Sequence, residues 1–207
     1  MLRWGKLEVS GGFLLMSAVL FYLDTGGLLP LAALAAGAHE LGHYLTLRCL
    51  GGDIVYFRLT AVGGDMELSR ARPLSYGREL LSILAGPGVN LALAFLCARL
   101  AGGREWAYVL SGLSLSLGLF NLLPVYPLDG GRALLMILTG ILPPQWAGRM
   151  TRWCSMGMVA MILAAGATVF WRDKGSFTLL IMGLWLLTGL IQPKKEVLRG
   201  KRACIRD

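Results

Sequence analysis

Long apolar runs separated by short polar stretches set the pattern of this chain. The hydrocarbon core of a bilayer takes roughly 20 residues of helix. Six runs approach that length: residues 9–24, 28–50, 80–100, 106–123 with a continuation to about 141, 153–171 and 176–192. The pattern predicts an all-α polytopic membrane protein with about six transmembrane helices. One connecting stretch departs from it. Residues 53–60, "DIVYFRLT", are rich in β-branched and aromatic side chains, and "AVGGD" offers a Gly-Gly turn before "MELS". This predicts a short membrane-associated β element in the 51–70 loop. Strand 53–60 would present a backbone edge to which another chain could pair.

Composition agrees with the runs. Of 207 residues, 56% are hydrophobic and only 15% charged, with a mean hydropathy of +0.63. That balance excludes an ordinary soluble domain. The N-terminal stretch has a basic start and an apolar run but lacks a small-residue cleavage site, so an uncleaved first span is expected. The net charge of +8 changes the picture only through its distribution. With the N-terminus in the cytoplasm, sixteen of the twenty Lys and Arg fall on the cytoplasmic side, six of them in the tail from Lys194 to Arg206. Both termini are therefore expected to be cytoplasmic, in a multi-pass protein of the cell membrane. The basic excess suits topology and lipid headgroups of the bilayer, and no nucleic-acid partner is expected. Cys49, Cys97, Cys154 and Cys204 are scattered without a CxxC pair, as reduced thiols would be.

Ionisable groups are costly inside an apolar span, yet residues 38–45 read "AHELGHYL". His39 and His43 are the only two histidines of the chain. At i and i+4 they share one helix face and can reach one metal ion. Glu40 is offset around the helix, so it can take a proton from water at that ion without being a ligand. The plainer reading is a pair of buried histidines hydrogen-bonded to neighbouring helices. A catalytic zinc usually takes three protein ligands. With no third histidine, the third must be Asp, Glu or Cys. Asp129 stands out, in "NLLPVYPLDGGR", where Pro124 and Pro127 interrupt an apolar helix and free backbone groups. Its plainer reading is a cytoplasmic turn in which Asp129 caps the next helix.

Three stretches in order, "HELGH" at 39–43, "AGPGVN" at 85–90 and "NLLPVYPLDGG" at 121–131, resemble the site-2 proteases, which are intramembrane zinc metalloproteases. The likeness is to their compact six-span bacterial branch, which includes the protease that processes a sporulation sigma-factor precursor. By motif it covers residues 28–140, flanked by the spans 9–24, 153–171 and 176–192. The expectation is a single membrane-embedded metalloprotease domain over 1–207, without the soluble C-terminal regulatory domain of some relatives. The resemblance implies one zinc ion held by His39, His43 and Asp129, with Glu40 as general base and proton shuttle. It implies that Asn121 contacts substrate, although an interhelical hydrogen bond is open too, and Asn90 carries the same two readings. It also implies that the 53–60 strand holds an unwound substrate. That substrate would be a single-span membrane protein: an anti-sigma factor, a sigma-factor precursor or a remnant signal peptide. Two other readings stand beside it, a divalent-metal transporter with a midplane site and a catalytically inactive substrate-binding relative.

Overall fold

The computed structural model describes residues 2–4, 7–52, 54–60, 63–68, 74–173 and 177–191. Residue 53, Arg70, Arg72, Lys174 and the basic tail lie outside them. Contacts divide the chain into two compact units, Met1–Leu122 and Leu123–Asp207.

The first unit holds a sheet and four helices. Helix α1 (Gly11–Leu23) starts at Ser10, whose hydroxyl accepts the Phe13 N–H at 3.1 Å, an N-cap that satisfies one orphan donor. Asp24 then does the same for the next helix with both carboxylate oxygens, accepting from the N–H groups of Leu28 at 2.9 Å and Leu29 at 2.8 Å. That next helix is α2 (Leu29–Cys49), with Pro30 in its first turn, where a missing N–H costs nothing. It ends where Gly51 adopts φ 82°, with the Gly52 N–H donating to the Leu47 carbonyl at 2.9 Å. Glycine carries that left-handed closure without a Cβ penalty.

Helices α3 (Tyr76–Leu100) and α4 (Glu105–Asn121) pack against α2 and against each other. Small residues set how closely they approach. A Cβ on Gly42 of α2 would sit 2.9 Å from Val89 Cγ2 and 3.0 Å from the Ala85 carbonyl of α3. A Cβ on Gly118 of α4 would sit 3.3 Å from both Asn90 Cβ and the Pro87 carbonyl oxygen. The Ser111 hydroxyl fastens α4 to α3 by donating to the Ala94 carbonyl at 2.7 Å. Buried positions here include Ala35, Ala94, Ala107, Ser114 and Asn90, whereas Leu15, Phe21, Phe95, Leu100 and Trp106 are exposed. Small and polar inside with large and apolar outside is the arrangement that lipid favours.

The sheet has four strands in the order β1 (Leu2–Trp4), β2 (Leu7–Val9), β3 (Ile54–Thr60), β4 (Gly63–Leu68). β1 and β2 are antiparallel, β2 runs parallel to β3, and β3 and β4 form an antiparallel hairpin. Glu8 and Arg58 face each other across β2 and β3, with a guanidinium-to-carboxylate distance of 2.7 Å. The expected β element therefore has two more strands than its own loop supplies. The first apolar run begins two residues later than its pattern suggested, because Val9 pairs with Leu59 instead of entering the helix.

The second unit contains α5 (Asp129–Ile141), α6 (Pro144–Asp173) and α7 (Thr178–Ile191). The run expected to continue from 106 to 141 is two helices, α4 and α5, so the described residues hold seven helices. Pro124 and Pro127 each lack an N–H, and the intervening residues 122–128 form turns instead of helix. α6 steadies that turn: the Ser155 hydroxyl accepts the Tyr126 N–H at 3.0 Å and donates to the Pro124 carbonyl at 3.3 Å. By length and composition, Tyr76–Leu100 and Pro144–Arg172 are long and apolar enough to cross a membrane.

Candidate metal centre

His39 and His43 lie one turn apart on α2, with their Nε2 atoms 3.1 Å from each other and their rings edge-on at 82°. His39 is buried and His43 half-buried. Each ring also has a partner on α3. Both are held from α3, through the nitrogen that points away from the pair. His43 Nδ1 donates to the Ser82 carbonyl oxygen at 2.8 Å. That bond places the ring proton on Nδ1 and leaves the Nε2 lone pair facing His39. His39 Nδ1 lies 3.3 Å from the amide nitrogen of Asn90. A partner on the outer ring nitrogen is the usual support of a metal-ligating histidine.

Two glycine-proline features of "AGPGVN" make room for this. A Cβ on Gly86 would fall on the His43 ring, 2.7 Å from both Cδ2 and Cε1 and closer still to Nε2. Only glycine at 86 lets the imidazole lie against α3. Pro87 stands inside α3 and withdraws one N–H from the turn whose carbonyls face α2. Asn90, one turn further on, is fully buried, and its Oδ1 has no hydrogen-bond partner.

Asp129 is the first residue of α5 and is buried. The cap position of α5 is Leu128, with Asp129 the acidic residue of its first turn. His39, His43 and Asp129 offer two imidazole nitrogens and one carboxylate oxygen, a donor set that supports a zinc cofactor. Neutral imidazole nitrogens with one carboxylate oxygen suit zinc. Behind Asp129, the chain turns so tightly that a Cβ on Gly131 would meet the Tyr126 nitrogen and the Val125 carbonyl carbon within 2.4 Å.

The remaining candidates are placed as follows. Asn121 ends α4 and its amide nitrogen donates to the Leu117 carbonyl at 3.0 Å. Strand β3, the described part of 53–60, has partners on both sides: β4 along its length and β2 at Phe57, Arg58 and Leu59. A further strand cannot add to β3 at those three residues. Among the described residues, the outer edge of β4 is the one left open in this hairpin. Sequence reasoning missed Ser82, Gly86 and Ser155. Ser82 acts through its main chain and leaves no side-chain signal. Gly86 was legible only as a kink, and Ser155 reads as one more small residue in an apolar run.

The model of peptidase family M50 matches residues 100–165, a stretch that takes in Asn121 and Asp129. Among curated proteins, Rip3 of Mycobacterium tuberculosis is 36% identical over 132 residues, covering 56% of this chain and 32% of its own length. Zinc metalloprotease MJ0392 of Methanocaldococcus jannaschii is 33% identical over 108 residues, covering 49% of this chain and 31% of its own length. Stage IV sporulation protein FB of Bacillus subtilis is 33% identical over 118 residues, with 54% and 40% covered. The chain thus spans about a third to two fifths of the length of these relatives. The solved structure of the Site-2 Protease from Methanocaldococcus jannaschii superposes with a TM-score of 0.68 at 23% identity, covering 93% of both chains, which establishes a shared fold. The family model and the curated relatives point to peptidase family M50, and the solved structure shares the fold.

Proposed function

We propose that this chain is an intramembrane zinc metalloprotease, hydrolysing a peptide bond within or near the transmembrane segment of a membrane protein. The observation that carries the proposal is the His39–His43 pair. Two buried or half-buried imidazoles face each other through Nε2 at 3.1 Å, and each outer nitrogen is supported from α3. The two nitrogens can hydrogen-bond to each other at this distance, and from one helix face, each backed from α3, they can also close on a single ion. In this reading His39, His43 and Asp129 hold the ion. Bound zinc supplies Lewis acidity toward water and the scissile carbonyl. Glu40, half-buried next to His39, takes a proton from the attacking water and hands it to the leaving amine as the C–N bond breaks.

His43 lies seven residues before Leu50, where α2 ends, or roughly 10 Å at the helical rise. Water can reach that depth from the cytoplasmic face. With both termini cytoplasmic in a multi-pass arrangement, the cut releases a cytoplasmic fragment. A helical substrate shields its carbonyls in its own hydrogen bonds, so it must be drawn out first. Strand 53–60, outside the three residues that pair with β2, or the edge of β4 beside it would hold that extended backbone, and Asn121 offers an amide to it. Anti-sigma factors, sigma-factor precursors and remnant signal peptides are the substrate classes that fit a single unwound span.

Glu40→Gln keeps the histidine pair and replaces only the base. Purified variant is expected to bind one zinc per chain, and cells producing it should accumulate a small membrane protein that wild-type cells degrade. Substantial cleavage by the variant would remove Glu40 from its assigned role. Metal flux through liposomes bearing the protein would support the transporter reading instead.

A further inference from the structure

We infer that Asn90 is a positioning residue for His39, its side-chain amide turning over when the ion binds so that Oδ1 accepts the Nδ1–H of His39. The inference rests on the reading that His39 and His43 hold the metal. Three observations on one face of α3 lead to it.

Asn90 is fully buried, and its amide nitrogen faces His39 Nδ1 at 3.3 Å. In that orientation Asn90 donates, so Nδ1 accepts and the His39 proton sits on Nε2. His39 Nε2 is 3.1 Å from His43 Nε2, whose own proton is committed to the Ser82 carbonyl. A chain of donors then runs in one direction: Asn90 to His39, His39 to His43, His43 to Ser82. It is self-consistent, and it cannot bind a metal ion through His39, because the nitrogen facing His43 carries a proton.

Asn90 Oδ1 is buried without a partner in this same orientation. A buried acceptor left unpaired forfeits its hydration without compensation. Amide oxygen and nitrogen are nearly equal in size, so rotating the amide by 180° changes its chemistry with little change in packing. After rotation Oδ1 accepts from His39 Nδ1–H, and the Nε2 lone pairs of both histidines face each other. That is the state a divalent ion requires of two imidazole ligands. An amide serves both states because it carries a donor and an acceptor on one short fork. Carboxylate would serve only the metal-bound one, and an aliphatic side chain neither.

The test uses the full chain in lipid nanodiscs with four proteins: wild type, Asn90→Asp, Asn90→Leu and His39→Ala. Zinc affinity is measured by competition with a chromogenic chelator, and metal-free stability by thermal unfolding. Asn90→Leu is expected to lose 10- to 100-fold in zinc affinity, the usual effect of removing such a partner, and Asn90→Asp is expected to stay close to wild type. Histidine 15N spectra of wild type should show the His39 proton on Nε2 without zinc and on Nδ1 with it. Should Asn90→Leu fail to fold, Asn90→Asp and these spectra carry the test. Wild-type affinity in Asn90→Leu, or equal losses in the Asp and Leu variants, would overturn the positioning role. A His39 proton already on Nδ1 before zinc would overturn the turnover. Unchanged zinc binding by His39→Ala would strike at the metal reading itself, and this inference would go with it.

Discussion

Replacing Gly86 by alanine adds one methyl group at the point where α3 meets the His43 ring. Its carbon would lie 2.7 Å from Cδ2 and Cε1, where non-bonded carbons settle at about 3.5–4.0 Å. The ring must therefore withdraw by about 1 Å. Withdrawal stretches the 2.8 Å bond from Nδ1 to the Ser82 carbonyl and moves Nε2 by a similar amount, whereas metal–ligand distances tolerate only about 0.2 Å. Global stability should change far less. Overpacking costs typically 1–3 kcal/mol, and alanine returns about 0.8–1 kcal/mol of helix propensity. The net effect on unfolding is about 0–2 kcal/mol, while zinc affinity should fall at least about tenfold, as it does when the orientation of a ligand is lost. Gly88, two residues on, has nothing within 4 Å of its would-be Cβ, so Gly88→Ala supplies the control and should bind zinc as wild type does. Chelator competition and thermal unfolding on the same three preparations decide the matter. If Gly86→Ala binds zinc within twofold of wild type, the glycine is not there to seat His43 and the packing account is wrong.

Gly131→Ala is expected to be harsher, because its Cβ would meet the backbone of Tyr126 and Val125 within 2.4 Å and backbone cannot swing aside. A loss above about 3 kcal/mol, or a folded yield too low to measure, is the expected result; Gly148→Ala, with open space around it, should be silent. Ser155→Ala strips the Tyr126 N–H of its partner and should cost about 1–3 kcal/mol in thermal unfolding, with zinc binding weakened because the turn leading into Asp129 loosens. Removing the metal with a chelator should abolish proteolysis and leave helical circular dichroism unchanged, since the described helix ends are closed by the chain's own groups such as Ser10, Asp24 and Gly51; zinc alone should restore cleavage.

Much of this was legible because membrane spans and metal motifs are written in residue type and spacing. The helical stretches follow from apolar runs, and His39, Glu40, His43 and Asp129 could be named as candidates because ionisable groups are costly in apolar runs. The break at 122–128 was legible as prolines but not as a boundary between two helices, since an apolar run continues across it. Strands β1 and β2 escaped notice. Three-residue segments give no period to read; β2 pairs with β3, fifty residues away, and β1 pairs in turn with β2. The expectation that strand 53–60 would present a free edge failed in part for the same reason: periodicity identifies a strand and says nothing of its neighbours. Asn90 could be named as a buried amide, but its partner could not, because interhelical register is set by how closely Gly42, Gly86 and Gly118 let the backbones approach.

The two histidines are held by different kinds of group, and this gives them unequal genetic exposure. His39 leans on a side chain, so any missense change at codon 90 alters what supports it. His43 leans on a peptide carbonyl, which every amino acid possesses. Ser82 is buried, so codon 82 can drift among small residues with that support intact, and a larger one acts by shifting the helix. A saturation scan would therefore show residue 90 as tolerant of Asp alone and residue 82 as tolerant of any small side chain, although each contributes one hydrogen bond to the same pair of rings. Selection has a fine adjustment on one ligand and only a coarse one on the other.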